Sequence, residues 1–217
     1  MKICGLNYFE MNILLHICCS NCALYPVKIF REEGYDFTGF WFNPNIQPYE
    51  EYELRLNSLK DLADRWRIDM IYAGEYDPAE YFAMFESSHS FDNPPLPPLR
   101  VMTFEKGGMG GFGRCKSCYR LRLGKTAEEA HNQGFDAFST TLLISPYQDF
   151  EQIISIGREL AEKHNVIFYF RDFRQYFREA MAYAKGMGLY RQKYCGCIYS
   201  REEKAQSLKL KIQNCGK

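Results

Sequence analysis

The chain has 217 residues, enough for one domain with a real core, and 46% apolar residues with 16% aromatics exclude a disordered chain or a thin secreted scaffold. Lys plus Arg equals Asp plus Glu at 27 each, so no global field draws in a polyanion, and a nucleic-acid partner has to be met by a local patch. No apolar run approaches the roughly 20 residues of a membrane helix, and the N-terminus lacks a signal-peptide pattern, so no membrane partner and a cytoplasmic location are expected.

Residues 12–17 (NILLHI) are a short apolar run that predicts a buried strand ending at a cysteine pair. Residues 23–33 have helical periodicity and stop at Gly34, while 37–42 (FTGFWF) are strand-like and closed by Asn43-Pro44-Asn45. Residues 49–66 predict a long amphipathic helix, 68–73 a third strand and 78–86 another helix. Residues 87–113 break the pattern with PPLPPLR and KGGMGGFG, a mixture that predicts a loop insertion. A helix over 115–132, a strand over 135–143, a helix over 151–163, a strand over 166–170, a helix over 173–185 and a polar helix over 201–211 follow. This alternation predicts an α/β fold: a parallel sheet of about five strands sandwiched by helices, one domain over 1–217 with the insertion at 87–113. Ligands of such sheets sit beyond the carboxyl ends of the strands, where Cys18, Cys19 and Cys22 fall.

In a reducing compartment, grouped cysteines read as metal-binding or catalytic rather than as structural disulfides. Of the nine cysteines, Cys4 and Cys215 stand alone near the termini; the others form three tight groups. Cys18, Cys19 and Cys22 lie where a strand becomes a helix, and backbone N–H groups at a helix start stabilise thiolates. Cys115 and Cys118, at a predicted helix start, supply a second gripping pair. Two such groups make four-thiolate coordination possible, by iron–sulfur or by zinc. Cys195 and Cys197 flank Gly196; a bond between them would close a very small, easily reduced ring, which suits two-electron chemistry, with a further ligand pair as the competing reading.

Other residues carry weaker signals. His16 precedes the first cysteines and reads as a core histidine or a neighbour of the site. Asp172 reads as either a functional carboxylate or a helix cap. Tyr49, Tyr119, Tyr147, Tyr190, Tyr194 and Tyr199 read mostly as core, or as platforms for a nucleobase. Arg114, Lys116, Arg120, Arg122 and Lys125 crowd the second cysteine pair, and Arg191 and Lys193 flank the third; they form either a phosphate-binding patch or a solvated helix face.

Taken together, HICCSNC from His16, FNPNI from Phe42, PYxxY from Pro48, RCxxCY from Arg114, TTL from Thr140, SPY from Ser145, DFR from Asp172 and LYRQKYCGC from Leu189 resemble the epoxyqueuosine reductase family of the QueH type. The resemblance covers nearly the whole chain in one order. It implies an adenine-nucleotide alpha-hydrolase-like (HUP) fold and reduction of the epoxide of epoxyqueuosine to queuosine at the wobble position of tRNA. It further implies a [4Fe–4S] cluster on Cys18, Cys19, Cys115 and Cys118, a redox-active pair Cys195 and Cys197, and an external electron donor. Cys22 would help hold a second iron near the cluster. The chain departs from the family pattern in a longer 87–113 segment and in lacking an acidic residue followed by glycine ahead of Arg114. Two other classes compete: an ATP-dependent tRNA thiolase, which needs a glycine-rich phosphate loop where this chain has CCSNC, and a zinc-stabilised RNA-binding module.

Overall fold

The structure is a computed structural model that describes residues 11–86 and 110–215, with side chains over 11–83 and 113–209. Most of the 87–113 segment, with His89, lies outside the described residues, as do Cys4 and the side chain of Cys215.

Five parallel strands form one sheet in the order β3-β2-β1-β4-β5. β1 (Asn12–His16) lies at its centre, with Ile13 opposite Phe37 of β2 (Asp36–Trp41) on one side and Ala137 of β4 (Ala137–Thr140) on the other. β3 (Met70–Tyr72) and β5 (Ile167–Phe168) form the edges. Ile13, Leu14, Leu15 and His16 have no exposed surface, the condition of a strand covered on both faces by helices.

Crossover helices supply those covers. α1 (Ser20–Glu32) packs on α2 (Tyr49–Trp66) and α6 (Phe177–Gly186). α4 (Gly110–Asn132) packs on β1, β4 and α5 (Phe150–His164), with α3 (Ala79–Glu86) beside it. α7 (Ile198–Cys215) closes the described chain. Close approach is built in at Gly157 of α5, where a Cβ would come within 2.3 Å of the Phe168 ring on β5. None of the described helices is long and apolar enough to cross a membrane. The expected sandwich is the fold observed.

Several boundaries differ from the sequence reading for local reasons. α1 begins at Ser20 rather than residue 23, so Cys22 sits in its first turn. Pro26 inside α1 has no N–H to offer the Cys22 carbonyl, which is left outside the helical ladder. The apolar run 135–143 divides because the Thr140 hydroxyl accepts from the Leu142 N–H at 3.1 Å, turning the chain into a one-turn 3₁₀ helix, Thr141–Ile144. α4 begins at Gly110, five residues before Cys115, so the second cysteine pair lies inside the helix rather than at its start.

Candidate metal–thiol site

β1 delivers Cys18 to the carboxyl edge of the sheet, and Cys19 takes the extended N-cap position of α1, with φ −173°. The chain then turns by less than one helical turn to Cys22. The sulfurs of Cys18, Cys19 and Cys22 all lie within 4.8 Å of one another, the one such group of His, Cys, Asp and Glu among the described residues. The Cys18 and Cys19 sulfurs are 4.0 Å apart, close to the roughly 3.8 Å that two thiolates on one tetrahedral ion adopt at a metal–sulfur bond of about 2.3 Å. All three are free thiols, and the hydrogen bond from Cys18 holds the Cys19 thiol well below its ordinary pKa. The donor set therefore fits a thiophilic metal.

The other two groups meet at α4. Cys118 is buried and Cys115 exposed. Cys195 and Cys197 stand close enough to both for their charges to act on them. Arg122, one turn beyond Cys118, lies against the second group. It is 3% exposed, its Nη1 reaches the Cys118 sulfur at 4.0 Å, and its Nη2 donates to Asn43 Oδ1 at 2.7 Å. Burial works against its charge, but Cys118, Cys18 and Cys195 hold it above its ordinary pKa.

Hydrogen-bond donors face most of the sulfurs. Thr141 Oγ1 donates to Cys18 at 3.3 Å, Gln192 Nε2 to Cys19 at 3.0 Å, Gln148 Nε2 to Cys195 at 3.6 Å and the Ser200 amide to Cys197 at 3.4 Å. With Arg122 on Cys118, five of the seven thiols of the site accept such a contact. Donors aimed at sulfur favour the thiolate, the form that binds metal and carries redox chemistry, while burial works against it and pushes the Cys118 thiol up to about 12 and the Cys195 thiol above its ordinary range.

The Cys195–Cys197 turn is held from below by α2. Arg55, buried beside Glu51, donates Nη1 to the Cys195 carbonyl at 2.9 Å and Nη2 to the Tyr194 carbonyl at 3.0 Å. Gly196 has φ +136°, and a Cβ there would meet Arg55, Asn45 and Ile46 at 3.1–3.2 Å, so only glycine passes through this turn without strain. Its carbonyl accepts from the Gln47 amide at 2.9 Å.

The family described as Epoxyqueuosine reductase QueH matches residues 13–95 and 99–203, spanning all three thiol groups. The chain belongs to this family. It is 32% identical over 192 residues to an epoxyqueuosine reductase QueH from Dehalococcoides mccartyi, covering 88% of this chain and 93% of that one. It is 34% identical over 196 residues to a namesake from Thermotoga maritima, covering 89% and 92%. Among solved structures, U34-tRNA thiolase NcsA from Methanococcus maripaludis with its [4Fe-4S] cluster superposes with a TM-score of 0.48 at 11% identity, over 94% of this chain and 67% of that one.

Within this member of an oxidoreductase family, some residues take places the sequence does not announce. Arg122, expected as a surface cation, points into the interior. Arg120 is paired with Glu159, Lys125 with Glu128 at 3.0 Å, and Arg114 with Glu203 at 3.0 Å, so little of the predicted basic patch is free. Lys116, Arg191 and Lys193 are exposed. Asp172 serves as a turn cap, accepting from the Arg174 amide at 2.9 Å. His16 is fully buried, and burial, then the nearby Arg122, push its pKa down to about 3, so the imidazole is neutral; Nδ1 lies 2.8 Å from Thr140 Oγ1. Arg55 and Gln148 carry no mark in the sequence, and Gln192 is visible there only within LYRQKYCGC. Gln148 lies just ahead of α5, Arg55 in the second turn of α2 and Gln192 in the loop before α7, places that mark none of them locally.

Proposed function

We propose that this chain reduces the epoxide of epoxyqueuosine to the alkene of queuosine at the wobble position of a tRNA anticodon, with Cys195 and Cys197 as its two-electron store. The observation that carries the reading is the cluster of Cys18, Cys19 and Cys22 sulfurs, within 4.8 Å of one another, in a chain of the QueH family. Cys18, Cys19, Cys115 and Cys118 would hold a [4Fe–4S] cluster, and the closeness of Cys22 to Cys18 and Cys19 supports a second iron there. When bound, these groups supply one-electron transfer and a Lewis acid for the epoxide oxygen.

The balance can be written on the chain's own thiols. Opening an epoxide to an alkene consumes two electrons and two protons and releases water. Two thiols becoming one disulfide release two electrons and two protons. Cys195 and Cys197 thus match the stoichiometry of one turnover, and an external electron donor returns them to the dithiol. Gln148 and the Ser200 amide, donating to these sulfurs, favour the reduced form. Asn21 and Asn45 are each 1% exposed and carry side-chain oxygens without partners among the described residues. Lys116, Arg191 and Lys193 are the cations left to meet phosphate.

Incubating anaerobically purified protein with epoxyqueuosine-containing tRNA and a reductant, then weighing the released nucleosides, tests the reading directly. Loss of one oxygen atom from the modified nucleoside is expected, and its full retention rejects the reaction.

A further inference from the structure

Six tyrosines stand out as candidate stacking surfaces, and the structure separates them. Tyr119 is 3% exposed and donates to Gln148, Tyr190 donates to Glu51, and Tyr194 donates to the Gln47 carbonyl. Tyr199 lies under the Arg114 guanidinium, and Tyr49 packs on Tyr52 and Tyr76. Tyr147 differs. It is 83% exposed, far more than any other large apolar side chain among the described residues, and its one ring contact there is with Phe177, edge to face at 5.7 Å.

Its position relative to the thiols is fixed. The next residue, Gln148, donates to the Cys195 sulfur at 3.6 Å and accepts from Tyr119 at 2.8 Å, while the Tyr147 amide donates to Ser145 Oγ at 3.3 Å. A single peptide step therefore separates an outward-facing aromatic ring from a contact to Cys195. An aromatic held outside the core forfeits burial that the fold could use, and a ring with two rotatable bonds loses little entropy on meeting a flat partner.

We infer that Tyr147 is a stacking platform for a nucleobase of the single-stranded RNA loop that carries the substrate base. This rests on the epoxide-reduction reading above and names how the RNA is positioned in it. No cation lies over the Tyr147 ring among the described residues, and Arg174 is chelated by Asp172 and laid over Phe150 at 4.0 Å, so the platform works by stacking rather than by phosphate attraction. A stacking contact does not release counterions, and its share of affinity is insensitive to salt.

The test uses the cluster-loaded full chain and a fluorescently labelled, unmodified anticodon stem–loop RNA. Y147A is expected to weaken binding by about 5- to 100-fold, by the same factor at low and moderate salt, and Y147F by less than twofold. KM for epoxyqueuosine tRNA should rise with kcat largely kept, and the alkylation rate of Cys195 should match that of the parent. Y183A, which removes a ring on α6, should bind as the parent does. Equal affinity of Y147A and the parent, or an equal loss in Y147F, overturns the inference while parent turnover leaves the epoxide reading standing. A parent chain that neither binds RNA nor reduces the epoxide overturns both.

Discussion

Arg55 and Cys195 are joined across 140 residues by a 2.9 Å hydrogen bond from the guanidinium to the backbone carbonyl. The same guanidinium holds the Tyr194 carbonyl and the Glu51 carboxylate, and its side chain is 2% exposed. A planar fork with several donors can do this at once; a lysine cannot. R55A leaves the Glu51 carboxylate, largely buried, with the Tyr190 hydroxyl but no counter-charge, at a cost of up to about 3–5 kcal/mol. For a chain of this size that is on the order of 10 °C in Tm. R55K should fold better than R55A yet lose most turnover, because charge is kept while the carbonyl grip is not. Thermal denaturation beside single-turnover assays separates the two effects, and an R55K variant with parental turnover would show that the grip is dispensable.

Gly196 faces Arg55 from the other side. G196A imposes a side chain at φ +136° and a Cβ 3.1–3.2 Å from three neighbours, costing about 1–3 kcal/mol of strain at that turn. The triad at Cys18, Cys19 and Cys22 is remote in sequence and should keep its metal. G196A protein is therefore expected to carry the parental iron content with turnover lowered at least tenfold, as read by iron analysis and nucleoside mass.

Cys195 and Cys197 as an electron store lead to a sharp pairing of outcomes. C195S and C197S should each purify with parental visible absorbance and no multiple turnover. Substantial turnover in either variant would remove the pair from the chemistry.

The triad makes the complementary forecast. C22S removes one of three sulfurs that lie within 4.8 Å of one another, and iron bound per chain should fall by about one atom while the broad cluster absorption stays. C18A, which takes away a sulfur in contact with both Cys19 and Thr141, should lose that absorption. Colourless protein that holds zinc after anaerobic purification would speak for the zinc alternative.

Gln148 bridges Tyr119 and Cys195, with its carbonyl end occupied by the tyrosine hydroxyl so that its amide N–H faces sulfur. Q148E turns a donor into a carboxylate at nearly the same shape. Repulsion between that carboxylate and the thiolate should slow alkylation of Cys195 at neutral pH by about tenfold, a difference of about 1.4 kcal/mol. An unchanged rate would mean that the 3.6 Å contact carries no electrostatic weight.

How far the sequence foretells this architecture depends on the range of the forces involved. β1 is legible because its apolar run is short and uninterrupted, and α2 runs over 49–66 as its periodicity predicts. The start of α4 is not legible, since glycines at 110, 111 and 113 are poor helix formers and mask the turn they join. Grouping of the cysteines is visible as spacing, and so is the location of the first group at a strand end. The roles of Arg55 and Arg122 are hidden, because an arginine destined for the interior has the same local pattern as one on a helix surface. What separates them is a partner more than 70 residues away, Asn43 for Arg122 and Cys195 for Arg55.

The three sulfurs that lie closest in space are also neighbours along the chain, spanning only residues 18–22. A nascent or unfolded chain can bring them together with almost no loop to close, so an ion could be chelated there before α4 or the Cys195 turn exists. Metal held by this triad alone would consequently bind native and denatured states with similar ease and add little to thermal stability. Only ligands recruited from the distant segments can convert metal affinity into resistance to unfolding.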